Sequence, residues 1–376
     1  MLFGIFLILS VYIGANFYIA RCLYLGIILN LPNPDVWIFS GIYVFFALSL
    51  LVRFLPVPYG IKRFIDKIGT HWIGIFVYSL LLFIIAEIVI LLGRAIQIIP
   101  SPTPTGIRFW SALTVVFITT ALMLYGKYNA SKIRHATYNI QLKKPSLSGE
   151  LKIAMIADLH LGYSIAEKRL PKIVQDINEI KPDIVCIAGD TFTDDIKLIR
   201  NSDRVIELFK SIKATYGVYA CLGNHDAGRS FNGMLRFFDQ CSIKLLQDEY
   251  KIIDDRFVLI GRIDASPIGG YDGLKRVGIA EITAEIDPGL PVIVMDHNPA
   301  HIIEYDNKID LVLSGHTHKG QFFPVTLITK SIYISDYGHY QKDAESPHNI
   351  ITSGVSTWGV PIRIGSNNEI VSITIR

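Results

Sequence analysis

The chain is poor in charge. Only 18% of its 376 residues are Asp, Glu, Lys or Arg, against roughly 25% in an ordinary soluble domain. The 36 basic and 33 acidic side chains leave a net charge of +3, without the clustered positive surface of a nucleic-acid-binding protein, so no nucleic-acid partner is expected. Cysteine is scarce too. Cys22, Cys186, Cys221 and Cys241 are the four present, none in a CxxC pair, which excludes a thiolate metal cluster and offers no disulfide framework. They read as buried free thiols. No internal repeat or low-complexity tract is visible, so a solenoid or repetitive array is excluded as well.

Apolar residues are abundant instead, at 51% of the chain, and most of the excess lies before Tyr128. Residues 2–20, 36–52, 72–92 and 109–125 form four apolar runs close to the length of roughly 17–25 residues that a bilayer crossing needs. They predict a four-helix transmembrane domain over residues 1–126. The first run has no basic residue before Arg21 and no small-x-small cleavage site, so it is expected to be kept as a helix rather than removed as a signal peptide.

Basic residues set the expected orientation. Arg53, Lys62, Arg63, Lys67, Lys127, Lys132, Arg134, Lys143 and Lys144 flank one side of the runs and Arg21, Arg94 and Arg108 the other. This places the C-terminal region in the cytoplasm and makes the chain a multi-pass protein of the cell membrane. The outer loop IPSPTPTG, residues 99–106, reads as an extended connector. Glu87 stands alone in the third run, either as a functional group or as a carboxyl bonded to a neighbouring helix at Asn16.

Residues 127–150 turn polar and read as a linker with an edge strand over 132–142. Beyond them, short β-rich runs at 152–157, 183–188, 218–222, 257–260, 292–295 and 310–313 alternate with amphipathic patterns at 165–180, 202–212 and 230–241. This is an α/β pattern of strands and covering helices around a buried sheet.

Chemistry follows the strands. IADLH supplies Asp158 and His160, IAGD supplies Asp190, and CLGNHD supplies Asn224, His225 and Asp226. VMDHNP adds Asp296 and His297, and LSGHTH adds His316 and His318. In an extended chain, residues two apart share a face, so Asp158 with His160, and His316 with His318, are each expected to aim into one cavity. Oxygen and imidazole donors without sulfur suit borderline divalent ions such as Mn, Fe, Co, Ni or Zn. Gly189 and Gly315 are expected where the backbone turns sharply beside them.

The ordered motifs DxH, GD, GNH, H and GHxH, here Asp158-Leu159-His160, Gly189-Asp190, Gly223-Asn224-His225, His297 and Gly315-His316-Thr317-His318, closely resemble the calcineurin-like metallophosphoesterase family. GHTHKGQFFP and the ending SGVSTWGVPIRIGSNNEI are similar to a membrane-associated branch that includes bacterial UDP-2,3-diacylglucosamine pyrophosphatases. The resemblance implies a two-sheet β sandwich flanked by helices over residues 151–376, holding two divalent metal ions. It assigns one ion to Asp158, His160, Asp190 and His318, and the other to Asp190, Asn224, His297 and His316, with Asp190 bridging. It implies hydrolysis of a phosphoester or pyrophosphate, with a lipid-linked substrate expected, by a hydroxide generated between the ions. His225 would give a proton or hydrogen bond to the leaving oxygen.

Departures from the family pattern are visible. Thr193 stands where many relatives carry the acid that orients the counterpart of His225, leaving Asp194, Asp195 or Asp226 as substitutes. Lys319 replaces a frequent glycine and either reaches a phosphate or lipid head group or is simply exposed. Phe322, Phe323, Pro324 and Trp358 serve either acyl chains, the transmembrane domain or core packing. Two other functions compete with a lipid hydrolase: an anchored phosphatase for a soluble substrate, and a membrane sensor or transporter with a regulatory metal module.

Overall fold

The computed structural model describes the chain apart from residues 1, 55–57, 143, 145–148, 163–165 and 194. Lys143 and Asp194, named above, therefore lie outside the described residues. The chain divides into two units, Met1–Lys127 and Tyr128–Arg376.

The first unit is helical: α1 (Leu2–Gly26), α2 (Val36–Leu48), α3 (Tyr59–Ala95) and α4 (Thr105–Ala130), which runs on into the second unit. Large side chains such as Phe6, Phe17, Trp37, Leu92 and Phe117 stand exposed around them, the all-round apolar surface of helices suited to lipid. Among the described residues, α1, α3 and α4 are long and apolar enough to cross a membrane. The second expected span is shorter. The Asp35 side chain caps the amides of Trp37 and Ile38, and the α-helix ends at Ser49, whose hydroxyl returns to the Phe46 carbonyl. The 13 α-helical residues rise about 20 Å and pass directly into a 3-10 stretch, Ser49–Phe54, so the α-helix alone falls short of a hydrocarbon core of about 30 Å. The polar contacts within this unit also differ from expectation. Asn16 donates to the Tyr12 carbonyl at 2.8 Å and accepts from the Tyr43 hydroxyl at 3.2 Å, rather than meeting Glu87.

The second unit runs β1 (Ile133–Ile140), β2 (Leu151–Ile156), α5 (Ala166–Ile180), β3 (Ile184–Ala188), α6 (Ser202–Lys210), β4 (Gly217–Cys221), α7 (Phe231–Gln240), β5 (Ile243–Leu245), β6 (Glu249–Ile253), β7 (Phe257–Gly261), α8 (Ile279–Ile282), β8 (Val292–Met295), β9 (Leu311–Ser314), α9 (Val325–Ile332), β10 (Gly338–Tyr340), β11 (His348–Ile351) and β12 (Asn368–Ile375). Two six-stranded mixed sheets result, ordered β1-β12-β2-β3-β4-β5 and β10-β11-β9-β8-β7-β6.

Period-two alternation explains how they pack. In β2, Ile153 and Met155 face the second sheet and meet Leu259, Ile293, Met295 and Leu311, while Ala154 and Ile156 face the helices with Leu170, Ile173 and Ile177 of α5. Val258, Ile260, Val294 and Val312 form the second sheet's other face, closed by Ile282 of α8. Each such buried aliphatic contributes about 1.5–3 kcal/mol. Cys186, Cys221 and Cys241 are buried free thiols in these layers.

β2, β3 and β4 are mutually parallel, as are β7, β8 and β9. Their carboxyl ends deliver the loops that begin at Ala157, Gly189, Leu222, Asp296 and Gly315, and these loops build the site.

Candidate metal centre

Three carboxyl-end loops of the first sheet meet two of the second. The Asp158 amide donates to the Gly189 carbonyl at 3.1 Å, the His160 amide to the Asp190 carbonyl at 3.0 Å, and the Gly315 amide to the His297 carbonyl at 2.9 Å. The His225 amide reaches Asp190 Oδ1 at 2.8 Å, and the His316 amide lies 3.2 Å from both Asp158 oxygens.

Two donor groups form there: Asp158, His160 and His318, all buried, and Asp190, His297 and His316. His160 Nε2 is 3.1 Å from His318 Nε2 and 3.7 Å from Asp190 Oδ2, while His318 Nε2 is 3.2 Å from Asp158 Oδ1. In the second group, His297 Nε2 is 3.1 Å from Asp190 Oδ2, and His316 Nδ1 is 2.9 Å from Asn224 Oδ1. Donors held about 2.1 Å from one cation stand about 3.0–3.4 Å apart in octahedral or tetrahedral geometry; four of these spacings lie near that range, and His160 Nε2 stands wider, 3.7 Å from Asp190 Oδ2 and 3.9 Å from Asp158 Oδ1. The residues therefore fit divalent ions.

The electrostatics of His160, His316, Asp158 and Asp190 agree, while that of His297 reflects its carboxylate partner. Burial holds His160 down to about 3 and His316 down to about 4, which keeps their ring nitrogens available as lone pairs. Burial opposes the charge on Asp158, but His318 and His297 outweigh it and bring the carboxyl to about 2. Asp190 is pulled down in the same way, against its burial, by His297. His297 is also buried, yet Asp190 lifts it well above the usual imidazole value. The His297 Nδ1 to Ala188 carbonyl hydrogen bond of 2.8 Å turns its Nε2 towards Asp190, the orienting role that a carbonyl plays for metal-ligating histidines.

The donors converge by a route the sequence did not suggest. Asp158, His160, Asp190, His316 and His318 all have positive φ, between 49° and 68°, and none lies in an extended strand. Strand alternation is therefore not what aims Asp158 with His160, and His316 with His318 fall in different groups. Left-handed backbone costs a non-glycine residue roughly 1–2 kcal/mol and clusters at functional sites. Gly189 has φ +81°, as a sharp turn requires, but Gly315 does not belong to the positive-φ class. Gly315 instead provides room: a Cβ there would sit 2.5 Å from Asp158 Oδ2.

His225 stands beside the first group, its ring centroid 5.2 Å from that of His160 and 5.6 Å from that of Trp358. Its Nδ1 meets the main-chain carbonyl of Thr193 at 2.9 Å. Among the described residues, the partner of His225 Nδ1 is thus the backbone of Thr193 itself, not Asp195 or Asp226. Asp195 accepts from the Lys197 amide and the Ser230 hydroxyl. Asp226, pushed up to about 7 by burial and then by the charge of Asp190, accepts from the Phe192 and Gly223 amides and ties two site loops together. Asp296 stays outside the donor groups, held by Arg276 at 2.7 Å and the Tyr305 hydroxyl at 2.6 Å. Lys319 Nζ rests 4.0 Å above the Tyr337 ring. Phe322 is buried, whereas Phe323 and Trp358 are exposed.

Arg363, not anticipated from the sequence, is fully buried behind His318. Its Nε donates to Asn368 Oδ1, Nη1 to the His318 carbonyl and Ser366 Oγ, and Nη2 to the Ser353 and Ser356 carbonyls. All five N–H groups are thereby engaged, with Nη2 also 3.2 Å from His318 Nδ1. Replacing Arg363 by methionine strands these buried acceptors, at about 1–3 kcal/mol each, and frees the His318 ring. We expect a lower melting temperature and metal affinity weakened roughly 10–100-fold, partly rescued in Arg363→Lys. Calorimetric metal titration checks this, and unchanged affinity would show that Arg363 does not position His318.

Residues 151–320 match the family model for calcineurin-like phosphoesterases. An uncharacterized metallophosphoesterase of Aquifex aeolicus is 31% identical, across 69% of this chain and 98% of the relative. A zebrafish (Danio rerio) transmembrane protein with metallophosphoesterase domain is 28% identical, across 71% of this chain and 63% of the relative. The UDP-2,3-diacylglucosamine pyrophosphatase LpxG of Chlamydia trachomatis is 25% identical, across 51% and 70%. With the site geometry, these matches make the chain a metal-dependent hydrolase that belongs to the calcineurin-like metallophosphoesterase family.

Proposed function

We propose that the protein is a membrane-bound, dinuclear-metal phosphoesterase that hydrolyses a phosphoester or pyrophosphate bond of a lipid-linked substrate. The observation that carries this reading is the meeting of two oxygen and imidazole donor groups at five strand ends, with His225 beside them. Asp158, His160, Asp190 and His318 would hold one ion, and Asp190, Asn224, His297 and His316 the other. Two divalent ions there would supply positive charge for the phosphate and lower the pKa of water towards neutrality. The protein's own groups do the rest. Asp190 ties the two donor groups together, and Asp226 holds the loop of Asn224 in register with the loop of Asp190 through the Phe192 amide. His225, held at Nδ1 by the Thr193 carbonyl, offers Nε2 to the departing oxygen.

The lipid-linked substrate is favoured by the apolar helices of the first unit and by the name of the chlamydial relative. Purified full-length protein with manganese is expected to prefer a lipid-linked pyrophosphate in vesicles over a soluble aryl phosphodiester. Equal use of both would favour an anchored phosphatase for soluble substrates.

We place the second unit in the cytoplasm. Lys62, Arg63 and Lys67 near the start of α3 and Lys127, Lys132 and Arg134 at the end of α4 outnumber Arg94 and Arg108 at the connection between them, whether α2 crosses or not. A cysteine placed within residues 99–106 is therefore expected to react with an impermeant maleimide added to intact cells. Protection there, with labelling after lysis, would reverse the topology.

A further inference from the structure

Helix α9 is built inside out. It starts seven residues after His318, and none of its residues is buried. Its threonines serve the protein: the Thr329 hydroxyl donates to Asp336 Oδ2 at 2.7 Å, and the Thr326 backbone packs on Gly320. Its large apolar side chains face away, with Leu327, Ile328 and Ile332 exposed by 58%, 53% and 68%. A water-facing helix has the opposite arrangement, and exposed apolar surface of this kind marks a contact with an apolar phase or partner.

The same stretch is one-sided in charge. From Gly315 to Ser335 there is no Asp or Glu, while Lys319 and an exposed Lys330 are present. Asp336, which follows, is engaged by Thr329. Helix α9 also adjoins the metal centre. The Tyr333 ring, just after it, lies 6.3 Å from that of His316. Gln321, just before it, bonds both the amide and carbonyl of Trp358, the neighbour of His225.

We infer that the outer face of α9 seats in the interfacial layer of a lipid bilayer, with Leu327, Ile328 and Ile332 below the head groups and Lys330 among anionic phosphates. An apolar helix face that carries Lys330, in a stretch of chain without Asp or Glu, complements an anionic membrane surface rather than a mixed-charge protein surface. The inference rests on the reading that α1, α3 and α4 are membrane-embedded, which keeps lipid within reach of the second unit. It adds a function for α9: holding the opening of the metal centre at the depth where lipid phosphates lie.

The test uses full-length protein with Cys22→Ser, reconstituted in phosphatidylcholine–phosphatidylglycerol vesicles. An environment-sensitive fluorophore is placed at Ile328→Cys or, separately, at Ile84→Cys within α3. Quenching by nitroxides on the acyl chains reports depth, and hydrolysis of a soluble aryl phosphodiester reports an intact catalytic unit. We expect quenching at both positions, and loss of at least half of it at position 328 when Ile332→Glu is added, with soluble activity unchanged. Quenching at 84 but not at 328 would overturn the inference and leave membrane attachment standing. Absence of quenching at both would overturn both. Crosslinking of the 328 cysteine to a second chain, or to the first unit, in place of lipid quenching would identify a protein partner and overturn the lipid assignment.

Discussion

Asp190→Ala is expected to lose activity by on the order of 10³-fold or more, together with bound metal. Its carboxylate reaches both donor groups, with Oδ2 3.7 Å from His160 Nε2 and 3.1 Å from His297 Nε2, while Oδ1 accepts from the His225 amide. Removing a group that only supports a metal ligand typically costs roughly 10–100-fold in affinity or activity, so losing a carboxylate shared by both groups costs more. The substitution also leaves His297 without the partner that raises it. Elemental analysis should find fewer than two ions per chain, and turnover of an aryl phosphodiester should fall in step. An Asp190→Ala protein that keeps a tenth of wild-type activity would contradict the assignment of Asp190.

His225→Ala is expected to behave differently. Its side chain belongs to neither donor group and is positioned by the Thr193 carbonyl, so metal content should be unchanged while kcat falls by roughly 10²–10⁴-fold, the typical worth of proton transfer to a leaving group. The loss should shrink as the leaving group becomes more acidic, because a nitrophenolate needs little help and an alkoxide a great deal. A loss that is uniform across leaving groups, or that tracks metal content, would make His225 a structural neighbour of the site instead.

Much of the catalytic unit is legible in the sequence because buried parallel strands read as short β-branched runs, and β2, β3, β4 and β7 to β9 lie within two residues of where those runs place them. The donor residues are legible because their side-chain chemistry has few uses at so many strand ends. What the sequence hid was conformation. The alternation that suggested His316 and His318 share a cavity does not apply to a loop whose histidines have φ of 68° and 49°. Thr193 acts through its backbone, which side-chain identity cannot report. Arg363 lies 45 residues beyond His318, too far for local pattern to connect them. The strand Asn368–Ile375 did carry a signal, its isoleucines and valine, but the preceding loop residues obscured it. In the first unit, hydropathy located four helices but could not foresee that the second would change from α-helix to 3-10 helix at Ser49.

The most direct test of the central claim is a titration of the chelated full-length protein with manganese, following hydrolysis of a soluble aryl phosphodiester and bound metal together. No activity is expected in the metal-free protein, and full activity at two ions per chain. Activity that survives complete metal removal, or that saturates at a single ion per chain, would contradict it.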